Sequence, residues 1–210
     1  MKPEEVMALI NQETAVCTKC ELHHSRKHAV PGEGPVDADI MFIGEGPGFH
    51  ENEQGRPFVG AAGKFLDELL AKIALKRDQV FISNVVKCRP PGNRDPKPEE
   101  VSICTSTYLE RQIQAINPKV IVTLGRYSMG LFIPNVKISD VHGQALHIKG
   151  RLVVPMFHPA AALHQASLKP SIERDFTMLP ELISKVSDAP KNVEEIDPQG
   201  QIEPKQLNLF

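Results

Sequence analysis

The chain has 210 residues, enough for one domain of ordinary size or two small ones, and its 41% apolar and 24% charged content is a globular balance with one buried core. A net charge of −2 excludes a chain that grips nucleic acid by bulk positive charge, though not one with a local basic face. No apolar run approaches the ~20 residues of a membrane span, the N-terminus is charged and helix-like rather than a signal peptide, and four cysteines without such a signal favour metal or redox chemistry over disulfides.

Residues 4–15 read as a helix with Val6, Leu9 and Ile10 on one face, and Cys17 and Cys20 follow at once. Residues 39–43 form a continuous apolar run stopped by Gly44, the pattern of a buried strand. Further strands are expected over 80–86, 119–124 and 151–157, the last after a Lys149-Gly150 turn. Between them, residues 61–74 carry Phe65, Leu66, Leu69, Leu70 and Ile73 at helical spacing. Residues 98–116 open on Pro98-Glu99-Glu100, which suits a helix N-terminus, and stop before Asn117-Pro118. Strands alternating with helices predict parallel βαβ units: a three-layer αβα domain over residues 1–186 with a mostly parallel four-stranded sheet. Residues 187–205 are rich in Pro, Asp, Glu, Gln and Asn and read as a disordered linker. The terminus, 206–210, turns apolar again. From residue 181 onward six acidic side chains face three basic ones, a net of −3, which leaves 21 basic against 20 acidic in the body.

In open α/β sheets ligands bind at the carboxyl ends of the strands. Those ends are Gly44-Glu45-Gly46-Pro47-Gly48, Asn84, Gly125-Arg126 and His158-Pro159, whose polar side chains are expected to converge on one small ligand. The glycine segment fails the dinucleotide fingerprint, because its third glycine comes too early and Pro47 removes a donor. Glu45 at the strand mouth, with Glu51 and Phe58 close behind, makes it more than a tight turn. Asn84, set among apolar residues, offers a donor and an acceptor together and can read a base edge. Cys17, Cys20, Cys88 and Cys104 have the spacing C-x2-C-x67-C-x15-C, which leaves zinc and an iron–sulfur cluster equally open. The loop 89–94 between the later pair is too polar to bury a cysteine for packing alone, which favours ligation.

Gly44-Glu-Gly-Pro-Gly48, Gln54-Gly-Arg-Pro-Phe-Val-Gly-Ala-Ala-Gly63, Ser83-Asn-Val-Val-Lys-Cys-Arg-Pro-Pro-Gly-Asn-Arg94 and His158-Pro-Ala-Ala-Ala-Leu163 resemble, in order, the motifs of the family 4 uracil-DNA glycosylases. The likeness runs over residues 17–182, with one small departure at Gly46, where alanine is also common. It implies release of uracil from DNA by a monofunctional glycosylase and a [4Fe–4S] cluster on the four cysteines. It further implies that Phe58 stacks on the flipped base, Asn84 reads its edge, the Gly46 turn and His158 support the leaving uracil, and Glu45, or less directly Glu51, serves the sugar side. Lys87, Arg89 and Arg94 are expected to meet phosphates, and a wedge near Leu163 to fill the vacated base position. A related branch that bonds covalently to the abasic site carries glutamine after the glutamate and a histidine-bearing basic insertion after the second strand. Here Gly46 follows Glu45 and Cys88 is retained without that insertion.

Gln206-Leu207-Asn208-Leu209-Phe210 resembles the pentapeptide by which bacterial repair proteins dock on the sliding clamp: a glutamine amide and apolar anchors on a flexible tether. The expected protein is a cytoplasmic, nucleoid-associated monomer.

Overall fold

The computed structural model describes residues 1–187. Helix α1 (Pro3–Val16) opens the chain, started by proline in its first turn and by the Glu5 carboxylate, which accepts the Lys2 N–H at 3.0 Å. Strand β1 (Ile40–Gly44) follows, then the short helix α2 (Phe49–Gln54), α3 (Ala61–Lys72) and strand β2 (Phe81–Asn84). Helices α4 (Pro98–Cys104) and α5 (Glu110–Ile116) lead to β3 (Val120–Leu124), and α6 (Arg126–Gly130) and α7 (Ile138–Val141) to the hairpin of β4 (Leu146–Ile148) and β5 (Arg151–Met156). Helices α8 (Pro159–His164) and α9 (Lys169–Ser187) complete the described residues.

The strands form one sheet in the order β2-β1-β3-β5-β4. β1 lies between β2 and β3, parallel to both, with Phe42 opposite Ile82 and Val122. The alternation of side chains along each strand sorts the core into two layers. Phe42, Val122 and Val154 pack on Leu66 and Leu69 of α3 and Phe176 of α9. Met41, Ile43, Ile121 and Val153 pack on Met7 and Ile10 of α1 and Ile116 of α5. With helices on both faces the parallel strands are buried throughout, which is why they read as unbroken apolar runs.

Three expectations change. The sheet has five strands rather than four: β4 pairs antiparallel with β5, Ile148 opposite Arg151, across a turn whose residues Lys149 and Gly150 have φ of 49° and 73°. Three residues with His147 at their centre carry too little apolar pattern to announce an edge strand. Second, the helical run 98–116 widens into a π-helical turn at Thr105–Leu109, directly after Cys104. Third, Ser187, assigned to the linker, still belongs to α9. The rest of the linker and the 206–210 peptide lie outside the described residues.

Helix α3 begins against the loop before it so closely that a Cβ on Gly63 would overlap the Phe58 carbonyl. Gly63→Ala is expected to lower the unfolding free energy by about 2–3 kcal/mol, the scale of overpacking a tight site. Gly130→Ala, at a position where a Cβ meets nothing within 4 Å, should be neutral or stabilise by up to about 1 kcal/mol. Urea unfolding of the two variants checks both signs.

Candidate active site

β1, β2, β3 and β5 run parallel and end on one edge, and the four segments singled out above leave the sheet there. Asn84 is the last residue of β2, in register with Gly44 at the end of β1. Its side chain is buried, and its Oδ1 finds no hydrogen-bond partner among the described residues. Gly44 has to be glycine, because a Cβ there would overlap both Asn84 Oδ1 and the Phe58 ring. The bare strand end therefore lets an amide and an aromatic face meet.

Phe58 holds a left-handed backbone, φ 50°, which a bulky side chain rarely adopts. Its surroundings over-determine it. Arg77 Nη1 donates to the Phe58 carbonyl at 3.1 Å and Nη2 donates to that of Pro57, while the same guanidinium pairs with Glu33 and Asp67, each at 3.1 Å. The Phe58 ring lies stacked on His158, with centroids 5.4 Å apart and planes 23° apart.

His158 follows β5 and caps α8: its Nδ1 accepts the Ala160 N–H at 3.1 Å. An accepting Nδ1 leaves the proton of the neutral ring on Nε2. Burial pushes the imidazole pKa down to about 4, against an opposing pull from the charge of Glu51. The ring is thus a neutral Nε2–H donor at physiological pH. Gly125, at φ 93°, gives it room, since a Cβ there would stand 3.2 Å from the His158 Cβ.

Glu51 is no free carboxylate. Oε1 accepts the N–H groups of Val59 and Gly60, both at 2.9 Å, and Oε2 accepts that of Gly48 at 3.1 Å. It braces the glycine turn against the Phe58 loop. Glu45 is half-buried at the mouth, its pKa raised by desolvation and then by Asp95, with Arg126 opposing. Gly46 packs on β2's extension, where an added Cβ would lie 2.7 Å from Val86 Cγ2, so alanine here requires Val86 to give way.

Cys17, Cys20, Cys88 and Cys104 line one pocket, walled by Leu22, Ile103 and Tyr108. All four are free thiols. Burial raises the pKa of Cys20 and Cys88, and that of Cys104 to about 12. Arg26 Nη1 donates to Cys88 Sγ at 3.5 Å and the Lys87 backbone N–H to Cys104 Sγ at 3.3 Å, so the donor set has hydrogen bonds that favour thiolates. Among the described residues no group of three or more His, Cys, Asp or Glu is arranged to hold a metal ion.

The basic residues assigned to phosphates separate. Lys87 is buried, its ammonium enclosed by Ser83, Asn84 and Gln112, and no phosphate reaches it. Arg94 clasps buried Glu100 through both terminal nitrogens, at 2.9 and 2.7 Å, and so ties the loop to α4. Arg89 lies on the surface over the Phe49 ring, 5.3 Å from its centroid. Leu163, on α8, is 53% exposed, which is the exposure a wedge requires. Phe49 and Arg77 were not found from sequence. Phe49, directly after Gly48 and 54% exposed, had a signal in its position; Arg77 had none.

The sequence matches the model of the uracil DNA glycosylase superfamily over residues 31–178. It is 49% identical over 183 residues to the type-4 uracil-DNA glycosylase of Sulfurisphaera tokodaii, covering 82% of this chain and 83% of that one. It is 47% identical over 186 residues to that of Archaeoglobus fulgidus (84% and 92%) and 46% identical over 167 residues to that of Thermotoga maritima (78% and 86%). The chain belongs to the uracil-DNA glycosylase superfamily and, within it, to the type-4 family.

The buried neutral histidine has a consequence for stability. Its folded pKa, about 4, lies below the unfolded value near 6.5, so between these the unfolded chain binds the extra proton. His158 therefore takes nothing from stability above pH 6.5 and removes up to about 2 kcal/mol as pH falls to about 5. In urea unfolding at pH 7.5 and 5.0, His158→Gln should lose less stability than the parent by about that amount.

Proposed function

We propose that the chain is a monofunctional uracil-DNA glycosylase: it hydrolyses the N-glycosidic bond of a deoxyuridine flipped out of DNA, releases uracil and leaves an abasic site for base-excision repair. The observation that carries this reading is the unpartnered Oδ1 of buried Asn84 beside the Phe58 ring. A buried acceptor without a donor is costly unless a ligand supplies one. Uracil N3–H is such a donor, and its O4 accepts from the amide Nδ2. Cytosine presents the reverse pattern and would leave both groups unsatisfied, the strong form of discrimination. Phe58 gives the base a face to lie on.

As the C1′–N1 bond breaks, the sugar becomes cationic and negative charge collects on uracil. His158 Nε2–H is aimed at O2 as a neutral donor, which stabilises the departing anion without having to bind a proton first. Glu45 serves the sugar side, where its charge opposes the developing cation and orients the water that completes C1′. Glu51 is a positioning residue for both loops.

Cys17, Cys20, Cys88 and Cys104 hold a [4Fe–4S] cluster. Their gathering in one pocket supports this, since four thiolates are the donor set such a cluster takes. The group would supply a cross-link between the end of α1 and the loop and helix that carry Cys88 and Cys104. DNA lies over the Arg89 and Leu163 edge of the pocket. The enzyme acts as a monomer in the cytoplasm, at the nucleoid. Residues 206–210 dock on a sliding clamp.

Incubation with a uracil-containing oligonucleotide, followed by alkali and a denaturing gel, should cut only at uracil and leave the matching cytosine strand intact. His158→Ala and Asn84→Ala should each lower kcat/KM at least about a hundredfold with circular dichroism unchanged; near-parental turnover in either removes its role. Removal of residues 206–210 should abolish clamp binding in a surface-resonance measurement and leave cleavage of a free oligonucleotide unchanged.

A further inference from the structure

Lys87 stands between the four-cysteine pocket and the base-reading strand, and both of its ends are committed. At one end its backbone N–H donates to Cys104 Sγ at 3.3 Å, its carbonyl accepts the Val30 N–H at 2.7 Å, and Cys88 is the next residue. At the other, the ammonium donates to Ser83 Oγ, to the Asn84 carbonyl and to Gln112 Oε1, each at 2.7 Å. An ammonium has three donors, and all three are used. The side chain is fully buried, and no carboxylate is among its hydrogen-bond partners in the described residues. A cation enclosed in this way by neutral acceptors is expensive to bury and is poorly explained as packing.

We propose that Lys87 couples the cysteine site to base reading: it is a positioning residue that clamps the Asn84 backbone from a segment anchored by Cys104 and Cys88, so that occupancy of the cysteine site sets where the Asn84 amide stands. This rests on the reading that Asn84 binds uracil and that the cysteines hold a cluster. The clamp acts on the carbonyl of the residue whose own Oδ1 is unpartnered, so no hydrogen bond among the described residues fixes that amide oxygen before uracil arrives. By linkage the coupling runs both ways: uracil in the pocket holds Asn84 and, through Lys87, the cysteine segment.

The test uses the full chain purified with its cluster. Loss of visible absorbance in EDTA is followed with and without saturating free uracil, for the parent, Lys87→Met and Asn84→Ala. Uracil should slow the loss at least threefold in the parent and have no effect in Lys87→Met. In parallel, kcat/KM on a uracil oligonucleotide is measured for the two single variants and the double variant. Asn84→Ala should cost at least about tenfold less in the Lys87→Met background than in the parent, the signature of residues acting through one another. Equal protection of Lys87→Met by uracil, together with costs that simply multiply, would overturn the coupling. Should Lys87→Met fail to fold, Ser83→Ala, which removes one of the three acceptors, should give the same pattern in weaker form, and its absence there would overturn the coupling equally. A parent chain without visible absorbance, or an Asn84→Ala variant with parental turnover, would instead overturn the reading of the cysteine site or of the pocket beneath it.

Discussion

The Glu51 carboxylate ties the glycine turn after β1 to the loop after Phe58. It accepts one N–H from the glycine turn after β1 and two from the loop after Phe58, and its charge faces His158. Each bond to a charged acceptor is stronger than a neutral one, and three on one group make a rigid corner. The turn must stay bare to allow it, because a Cβ on Gly48 would stand 2.7 Å from Glu51 Oε2. From that corner the rest follows. The Phe58 loop is held in a backbone conformation it would not choose, Arg77 secures its carbonyls from outside, and Gly63 lets α3 start directly against it. The strain is stored where an aromatic face has to be presented at a fixed height over a strand end.

The pocket so built is poor in charge at its centre. His158 is neutral and the Asn84 Oδ1 is unpartnered among the described residues, while the Glu45 carboxylate stands at the mouth with its pKa raised by desolvation. Interactions of this kind do little for a neutral base at rest and more as charge separates between base and sugar, which is the differential stabilisation catalysis needs.

The parallel strands and the helices between them were legible because both faces of the sheet are covered, so each strand is an apolar run bounded by Gly, Asn or Pro. The edge strand Leu146–Ile148 was not, since its pairing is decided by the Lys149-Gly150 turn and by β5 rather than by its own three residues. In the site, Asn84 and His158 stood out as polar groups at strand ends, and the structure brings both to Phe58. Lys87 misled. A lysine beside arginines in a polar loop reads as a phosphate contact, yet this one is buried beyond the end of β2, and only tertiary structure supplies the Gln112 and Ser83 oxygens that receive it. Arg77 and the bracing role of Glu51 depend on contacts from eight to forty-four residues away in sequence, to which periodicity is blind.

The cysteine pocket likewise gathers residues far apart in the sequence. Cys17 caps the end of the first helix and Cys20 follows it, whereas Cys88 lies in the loop that leaves β2 beyond Asn84 and Cys104 closes α4. A link between them closes a long stretch of chain that includes β1, its glycine turn and the Phe58 loop, and removes much of that stretch's freedom in the unfolded state. The π-helical turn directly after Cys104 is a local departure from regular helix of the sort that persists where a ligand or neighbour requires it. Arg94, through Glu100, fastens the same loop to α4, so the loop is held at both sides of the cysteines. The cysteine pocket thus borders the same loop that begins at the strand end carrying Asn84.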